Sequence, residues 1–149
     1  MMVPQGWKWP FGTSLSVEFG FFRPNVNASF FWQGEIRPII DKTMKNWYVS
    51  FNPDINFILT GPGKQWVLSP QLKTVYSIKQ KFGVGFEYYT GIGTFQKIPS
   101  FDAQEHLIGP MFDLYTDPKW ELNTGFLFGL TPGSNQRIFK LLIGRRFGK

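Results

Sequence analysis

Apolar and polar residues alternate along most of the chain with a period of two, which is the pattern of β-strands with two unlike faces. In residues 46–59, Trp47 and Phe51 take one parity, whereas Ser50 and Asp54 take the other. The same alternation recurs in seven further segments. The eight predicted strands span residues 14–21, 30–40, 46–59, 68–78, 81–91, 106–115, 120–130 and 138–147. The pattern therefore predicts an all-β protein.

The lengths and links of these segments indicate how the strands are arranged. Most exceed the five or six residues typical of soluble proteins and match a tilted strand that crosses a bilayer. Short links are predicted near Thr43–Met44, Gln80 and Pro118, and longer links near Val26, Pro62, Pro99 and Gly133. Short turns at one end and longer loops at the other are typical of outer-membrane barrels, although a soluble up-and-down barrel can show them too.

The two faces of the predicted strands differ sharply in chemistry. The charged residues within the strands keep to the small, polar row: Glu18, Glu35, Arg37, Asp54, Lys73, Glu87, Asp113, Glu121 and Lys140. The interior of an eight-stranded barrel holds only modest side chains, so the bulky row would overfill it. Glycines such as Gly85 and Gly125 in the polar row leave space for long charged neighbours. The polar row is therefore predicted to line a lumen, and the apolar row to face lipid.

The lipid-facing prediction applies most directly to five phenylalanines on the apolar parity: Phe51, Phe57, Phe86, Phe126 and Phe128. Taken together, the pattern predicts an antiparallel up-and-down transmembrane β-barrel of about eight strands in four hairpins. Residues 1–149 form one domain in this interpretation, with an N-terminal extension over 1–12 and barrel strands over 13–147.

Composition supports a membrane location. Aromatic residues make up 19% of the chain and charged residues only 17%, against about a quarter in ordinary soluble domains. No apolar run approaches 18 residues, so a transmembrane helix is not expected. The chain has no cysteine, which excludes disulfides and thiolate metal sites. We expect no cofactor and no metal.

The net charge of +6 would suit nucleic acid or anionic lipid as a partner. The lysines and arginines are scattered and form no continuous basic stripe, so nucleic-acid binding is not predicted. The inward charges allow two interpretations. They either pair as an ionic plug in a narrow lumen or form a polar constriction in a wider pore, where an excess of acids would favour cations slightly.

Two features do not fit the simple pattern. The first is a set of prolines inside predicted strands, all on the outward parity: Pro38, Pro53, Pro70 and Pro110. Proline cannot donate to a β-ladder, and a closed barrel has no edge strand to host it, so bulges or strand ends are expected there. The second is His106, the only histidine, which lies near Ser100 and Asp102.

His106 leaves an enzyme open as an alternative, because outer-membrane lipid hydrolases use serine, histidine and an acid. No nucleophile signature surrounds Ser100, however, and parity places His106 outward near a loop. A histidine exposed to solvent or lipid headgroups is therefore expected. A soluble, lipocalin-like ligand-binding barrel is the other alternative.

Several stretches resemble a family of bacterial outer-membrane barrel proteins assigned to transport, which includes proteins linked to phenol-degradation pathways. The stretches are EIRPIIDKTMKNWYVSFNP (35–53), GFEYYTGIG (85–93), HLIGPMFDL (106–114), WELNTGFLFGLT (120–131) and KLLIGRRF (140–147). The resemblance implies a non-enzymatic, porin-like protein of the bacterial outer membrane that passes small compounds, hydrophobic ones included. It also implies partnership with the lipid bilayer and the barrel-assembly machinery, and a match to the C-terminal strands of the family.

Overall fold

The structure, a computed structural model, describes residues 10–23, 29–60, 65–79, 81–115 and 119–145. These residues form one antiparallel sheet and a single 3-10 helix, Phe101–Ala103. The strands are β1 (Gly12–Phe22), β2 (Phe31–Met44), β3 (Trp47–Asn52), β4 (Ile55–Ile58), β5 (Trp66–Leu68), β6 (Gln71–Ile78), β7 (Phe82–Gly91), β8 (Gly93–Thr94), β9 (Glu105–Leu114), β10 (Trp120–Gly129) and β11 (Arg137–Arg145). The predicted all-β antiparallel class is confirmed.

Eleven strands are present where eight were predicted, because the predicted strands 46–59 and 68–78 are each interrupted and the short β8 follows the predicted strand 81–91. Pro53 and Asp54 separate β3 from β4, Ser69 and Pro70 separate β5 from β6, and Ile92 separates β7 from β8. Both β3 and β4 pair with β2, while β6 pairs with β3 and β7, and β5 pairs with β4 and β8. The sheet is therefore a meander in which consecutive long segments lie side by side.

The sheet is not closed into a barrel. Within the described ranges, β1 pairs only with β2 and β11 pairs only with β10, so these two strands are the edges. Of the predicted links, Thr43–Met44 belongs to β2, and the turn is Lys45–Asn46 instead. The links near Val26, Pro62, Gln80 and Pro118 lie outside the described residues, as do residues 1–9 and 146–147 at the ends of the predicted barrel.

Three of the unexplained prolines form a row across the sheet. The pairs Ile36↔Ile55 and Ile40↔Phe51 place Pro38 opposite Pro53. The pairs Ile55↔Leu68 and Asn52↔Gln71 place Pro53 opposite Pro70. Because proline has no N–H to donate, the ladder from β2 to β3 and β4 and the ladder from these strands to β5 and β6 are interrupted at the same level, while β2 itself is continuous.

The backbone groups along this proline row are satisfied locally. Thr90 Oγ1 donates to the carbonyl of Pro70 at 2.7 Å, and the Asp54 N–H donates to the carbonyl of Asn52 at 2.9 Å. Pro110 behaves differently, because it pairs with Phe86 inside an uninterrupted β9. The expectation of bulges or strand ends thus describes Pro53 and Pro70, but is wrong for Pro38 and Pro110, which lie inside the uninterrupted β2 and β9.

The sheet is strongly curled, with its polar face concave. Lys140 Nζ on β11 lies 2.7 Å from Glu87 Oε2 on β7, and the sheet order places β9 and β10 between these strands. Three strand spacings separate the two backbones by about 14 Å in a flat sheet, so the side chains must lean towards each other or the sheet must bend. Val75 and Glu87 on the polar face are 1% and 3% exposed, whereas Phe86 on the opposite face is 59% exposed, so the polar face is the concave one.

The convex face carries most of the large apolar side chains in contact with solvent. The described residues include 32 exposed large hydrophobic residues but only five buried ones. Four of the buried five, Val75, Leu107, Met111 and Leu127, are on the concave face by strand parity, and Phe57 is on the convex face. No helix among the described residues is both long and apolar enough to span a membrane.

Candidate functional site

The first of two polar groups on the concave face is the Arg37 cluster, formed by Glu18, Glu35, Arg37, Asp54 and Gln71. Arg37 lies at the centre, with its guanidinium 3.6 Å from Glu18 and 2.5 Å from Glu35. Its Nε donates to Asp54 Oδ2 at 3.2 Å, and the amide of Gln71 donates to the same oxygen. The register builds this arrangement, since β1 places Glu18 directly opposite Glu35.

The Arg37 cluster is short of positive charge. Three carboxylates share one guanidinium, which gives a formal charge of −2 (three negative, one positive). Asp54 is fully buried and its Oδ1 has no hydrogen-bond partner among the described residues, whereas the side chain of Glu18 is 62% exposed. A hollow of about 150 Å³ borders the cluster and is lined by Glu18, Glu35, Gln33 and Asn56, among others. This arrangement can attract a cation, since the acids outnumber their partner.

The second group is the Glu87 cluster, formed by Lys73, Glu87, Tyr89, Asp113, Tyr115, Asn123 and Lys140. Glu87 lies between two lysines, with Lys140 Nζ at 2.7 Å and Lys73 Nζ at 3.7 Å. Tyr89 donates to the Glu87 carboxylate at 3.0 Å and accepts from Lys140 at 2.7 Å. The Glu87 side chain is only 4% exposed, so its charge is paired in a largely dry environment.

Lys73 joins Glu87 to a second buried acid, Asp113. Lys73 Nζ lies 3.0 Å from Asp113 Oδ2, which also accepts from the Tyr115 hydroxyl at 2.8 Å. Asn123 donates to the other oxygen of Asp113 at 2.6 Å. Two acids therefore meet two lysines, and the Glu87 cluster is balanced in formal charge.

Glycines create the space that the Glu87 cluster occupies. Gly109 is the cross-strand partner of Glu87, and Gly125 is the partner of Lys140. A Cβ at Gly109 would collide with the backbone carbonyl of Phe126 on the neighbouring strand. The side chains of Glu87 and Lys140 thus approach one another over Gly109 and Gly125, which have no side chains.

Eight of the nine residues predicted for the polar network lie in these two clusters. The ninth, Glu121, shares the concave face opposite Gly144, two residues from Asn123 towards the end of the strand. Sequence reasoning left out Gln71, Tyr89, Tyr115 and Asn123, which complete the clusters. Their parity was readable in the sequence, but the network was restricted to charged residues.

Four of the five phenylalanines predicted to face lipid are exposed on the convex face: Phe51 (43%), Phe86 (59%), Phe126 (55%) and Phe128 (47%). Phe57 shares this face but is only 6% exposed, so its predicted exposure is wrong. Phe57 packs over Gly34, where a Cβ would meet its ring, between the rings of Phe19 at 5.9 Å and Trp66 at 4.9 Å. Neighbouring aromatic rings therefore cover it.

The expectation of an exposed His106 is also wrong, because His106 is 5% exposed. The segment that contains the 3-10 helix folds back over it, and Phe101 stacks on the imidazole at 4.5 Å. Both ring nitrogens have partners, the Tyr88 hydroxyl at 2.6 Å and the Gln104 side-chain oxygen at 3.1 Å. Neither partner is an acid or a nucleophilic serine, so the geometry gives no support to an enzyme that uses His106.

No group of three or more His, Cys, Asp or Glu side chains in the described ranges is arranged to hold a metal ion. Comparison with protein-family models gives no match, and comparison with curated proteins and with solved structures gives none either. The interpretation of the two clusters therefore rests on their geometry and on the chemistry of the two faces.

Proposed function

We propose that the chain forms the wall of a non-enzymatic, porin-like β-barrel in the bacterial outer membrane. Its convex face contacts lipid, and its concave face lines a lumen that passes small compounds, hydrophobic ones included. This agrees with the resemblance of the sequence to outer-membrane barrels assigned to transport. The observation that supports it best is the division of faces on a curled sheet, with apolar residues exposed outside and paired charges inside.

The exposed apolar surface is the physical reason for placing this sheet in lipid. Soluble monomers rarely expose a contiguous apolar patch larger than a few hundred square ångströms. Here large apolar side chains are exposed on nearly every strand, from Val17 on β1 to Ile143 on β11. A bilayer solvates such a surface, whereas a soluble ligand-binding barrel would turn it inward.

The proposal requires partners for the two edges of the sheet. Lipid cannot hydrogen-bond the free backbone groups of an edge strand, so only closed barrels cross a bilayer as sheets. Strands β1 and β11 run antiparallel to one another in a meander of eight long segments, so their pairing would close the cylinder. Additional strands between them would make a wider barrel.

The route for solutes follows from the difference between the two clusters. The buried ion pairs of the Glu87 cluster fill the concave side of β6–β11, whereas the hollow beside the Arg37 cluster is open. Solutes would pass along the Arg37 cluster. Its formal charge of −2 would favour cations over anions.

Two substitutions of similarly exposed apolar residues test the lipid contact, one on the convex face and one in a loop. Phe86 is 59% exposed in the middle of β7, and Ile98 is 61% exposed in the loop before β9. In a bilayer, Phe86→Arg should lower the free energy of unfolding by about 2–4 kcal/mol, and Ile98→Arg by about 0–1 kcal/mol. Chemical unfolding from phosphatidylcholine vesicles measures both values. Equal, negligible effects in a protein that stays monomeric without detergent would refute the proposal.

Closure is tested with cysteine pairs, which are clean probes because the chain has no cysteine of its own. Val17→Cys on β1 is combined in turn with Phe139→Cys, Leu141→Cys or Ile143→Cys on β11. An intramolecular disulfide in one pair, formed in lipid, supports closure by β1 and β11. No disulfide in any pair, with the protein inserted, would indicate that further strands complete the barrel.

A further inference from the structure

Two short turns lie side by side at one end of the sheet. One is Lys45–Asn46 between β2 and β3, and the other begins at Lys79 after β6. Strands β3 and β6 pair up to Trp47↔Tyr76, and the Ser77 N–H donates to the carbonyl of Asn46 at 2.8 Å. These contacts hold the turns together around an open hollow of about 420 Å³, lined by Lys45, Asn46, Ser77 and Lys79.

Both turns place a lysine where the backbone favours other residues. Lys45 has a φ of 55° and Lys79 a φ of 50°, both in the left-handed region. Glycine and asparagine adopt this region at lower cost, so lysine here is not explained by turn geometry. Backbone strain of this kind is concentrated at functional sites. Binding of a ligand by the ammonium groups would therefore explain why lysine occupies both positions, which the fold does not explain.

The ammonium groups of Lys45 and Lys79 are available to a ligand. No carboxylate of the described residues lies within ion-pair distance of either one. The described acidic residues near this end, Asp41, Asp113 and Glu121, lie on the concave face by strand parity. The same end of the sheet carries four further basic residues: Lys42, Lys81, Lys119 and Arg145. The end with short turns is thus a positively charged surface.

Aromatic rings lie at the same level on the convex face. Trp47 and Tyr76 pack together with ring centroids 5.2 Å apart, and both are exposed. Lys42 lies over the Phe11 ring at 5.0 Å and Arg145 over the Trp120 ring at 5.4 Å. Tryptophan, tyrosine and basic side chains in this combination are typical of the headgroup level of a membrane.

We propose that the hollow between the two turns binds the phosphate of an anionic phospholipid headgroup, in the leaflet that meets the short turns. This inference rests on the proposed membrane location. Lys45 and Lys79 would contact the phosphate oxygens, and Asn46 and Ser77 would donate to the phosphate or the headgroup hydroxyls. Trp47 and Tyr76 would contact the upper part of the acyl chains. A zwitterionic headgroup would bind more weakly, because its own cation repels the two lysines.

The test uses substitutions that suit the turns. Asparagine tolerates a positive φ, so Lys45→Asn and Lys79→Asn remove the charges without adding backbone strain. The double variant and the parent are inserted into phosphatidylcholine vesicles that contain increasing fractions of brominated phosphatidylglycerol. In all the proteins the tryptophans other than Trp47 are replaced by phenylalanine, so that quenching of Trp47 fluorescence reports the lipid next to the turns. The matched control is Lys97→Asn, an exposed lysine in the loop at the opposite end.

The parent and the Lys97→Asn control should both prefer phosphatidylglycerol over phosphatidylcholine. The double variant should lose at least about tenfold of that preference, since each lysine near an anionic surface contributes about fivefold. Equal preferences in all three proteins would overturn the inference. Displacement of the lipid by millimolar inorganic phosphate would also overturn it, in favour of a site for free phosphate.

Protease protection in the same vesicles separates this inference from the proposed function. If the parent fails to insert, the membrane proposal fails. If all the proteins insert and the double variant keeps its preference, only the headgroup site is refuted.

Discussion

The Arg37 and Glu87 clusters share one concave face. They differ in the number of strands that their contacts span, in charge balance and in exposure. Contacts in the Arg37 cluster join adjacent strands, and three acids share one base. Contacts in the Glu87 cluster extend across three strand spacings, and two acids meet two bases. Glu18 is 62% exposed, whereas Glu87 is 4% exposed. The half of the sheet that is closely curled is thus the half whose charges are fully paired.

This difference indicates that curvature and charge pairing depend on each other. A bent sheet brings Lys140 closer to Glu87, and the contact with Lys140 in turn compensates the buried Glu87 carboxylate. The N-terminal half has no contact of this length among the described residues, and its ladder is interrupted along the proline row. It therefore remains the more open half, and the part that closure of a barrel would change most.

The largest effect is expected from Lys140→Met. The substitution leaves the buried Glu87 carboxylate with Lys73 at 3.7 Å as its remaining cation, so the free energy of unfolding should fall by about 3 kcal/mol. Urea unfolding in detergent micelles measures the loss. In the double variant Lys140→Met with Glu87→Gln, most of the loss should be recovered, because no unpaired charge remains. A loss below about 0.5 kcal/mol in the single variant would show that the contact between Lys140 and Glu87 does not stabilise the curled sheet.

Backbone amide exchange should also differ between the two halves of the sheet. Amides of β4 and β5, beside the proline row, should exchange about tenfold faster than those in the middle of β9 and β10, because fewer ladder bonds hold them. Hydrogen exchange followed by mass spectrometry measures the ratio. Pro110 provides the internal control, since it lies in a strand that is not interrupted and its neighbours should stay protected. Uniform protection across the sheet would contradict a weakened N-terminal half.

The sequence predicted which face of the sheet each residue occupies better than it predicted how the two clusters differ. Period-two alternation was enough to place Glu35, Asp54 and Glu87 on one face and Phe51, Phe86 and Phe126 on the other. The face on which a residue lies depends on its position along its own strand, so it does not depend on what the strand packs against. Each of the eight predicted segments contains a strand, although β2 extends four residues beyond its predicted end and β8 lies outside the predicted segments.

What the sequence could not predict depends on pairing between distant segments. The proline row appears only when the registers of β2–β6 are known, and Phe57 is buried because the register places Gly34 beneath it. His106 is covered by Phe101, which is only five residues away, but the covering depends on how the loop folds back. Cluster membership likewise required the curl that brings Lys140 to Glu87.

Charge balance can be compared directly by neutralising one acid in each cluster. Glu87→Gln leaves Lys73 with Asp113 alone and removes the ion pair of Lys140, so it should lower the free energy of unfolding by about 2 kcal/mol. Glu35→Gln removes one of three acids around Arg37, which keeps Asp54 and Glu18, so the change should stay within about 0.5 kcal/mol. Urea unfolding of both variants under identical conditions makes the comparison. Equal losses would mean that charge balance does not distinguish the clusters.

The smallest effect on stability is expected from Glu18→Gln. This variant tests whether a charge that contributes little to stability contributes to the preference for cations. Glu18 is 62% exposed and its carboxylate lies 3.6 Å from Arg37, so the free energy of unfolding should change by less than about 0.5 kcal/mol.

If solutes pass along the Arg37 cluster, the same substitution should lower the preference for cations, because Glu18 borders the open hollow. Reversal potentials across a planar bilayer under a salt gradient measure that preference. Glu121→Gln is the matched control, since it removes an acid from the same face near the end of β10. A fall in cation preference with Glu121→Gln and none with Glu18→Gln would place the path of the ions away from the Arg37 cluster.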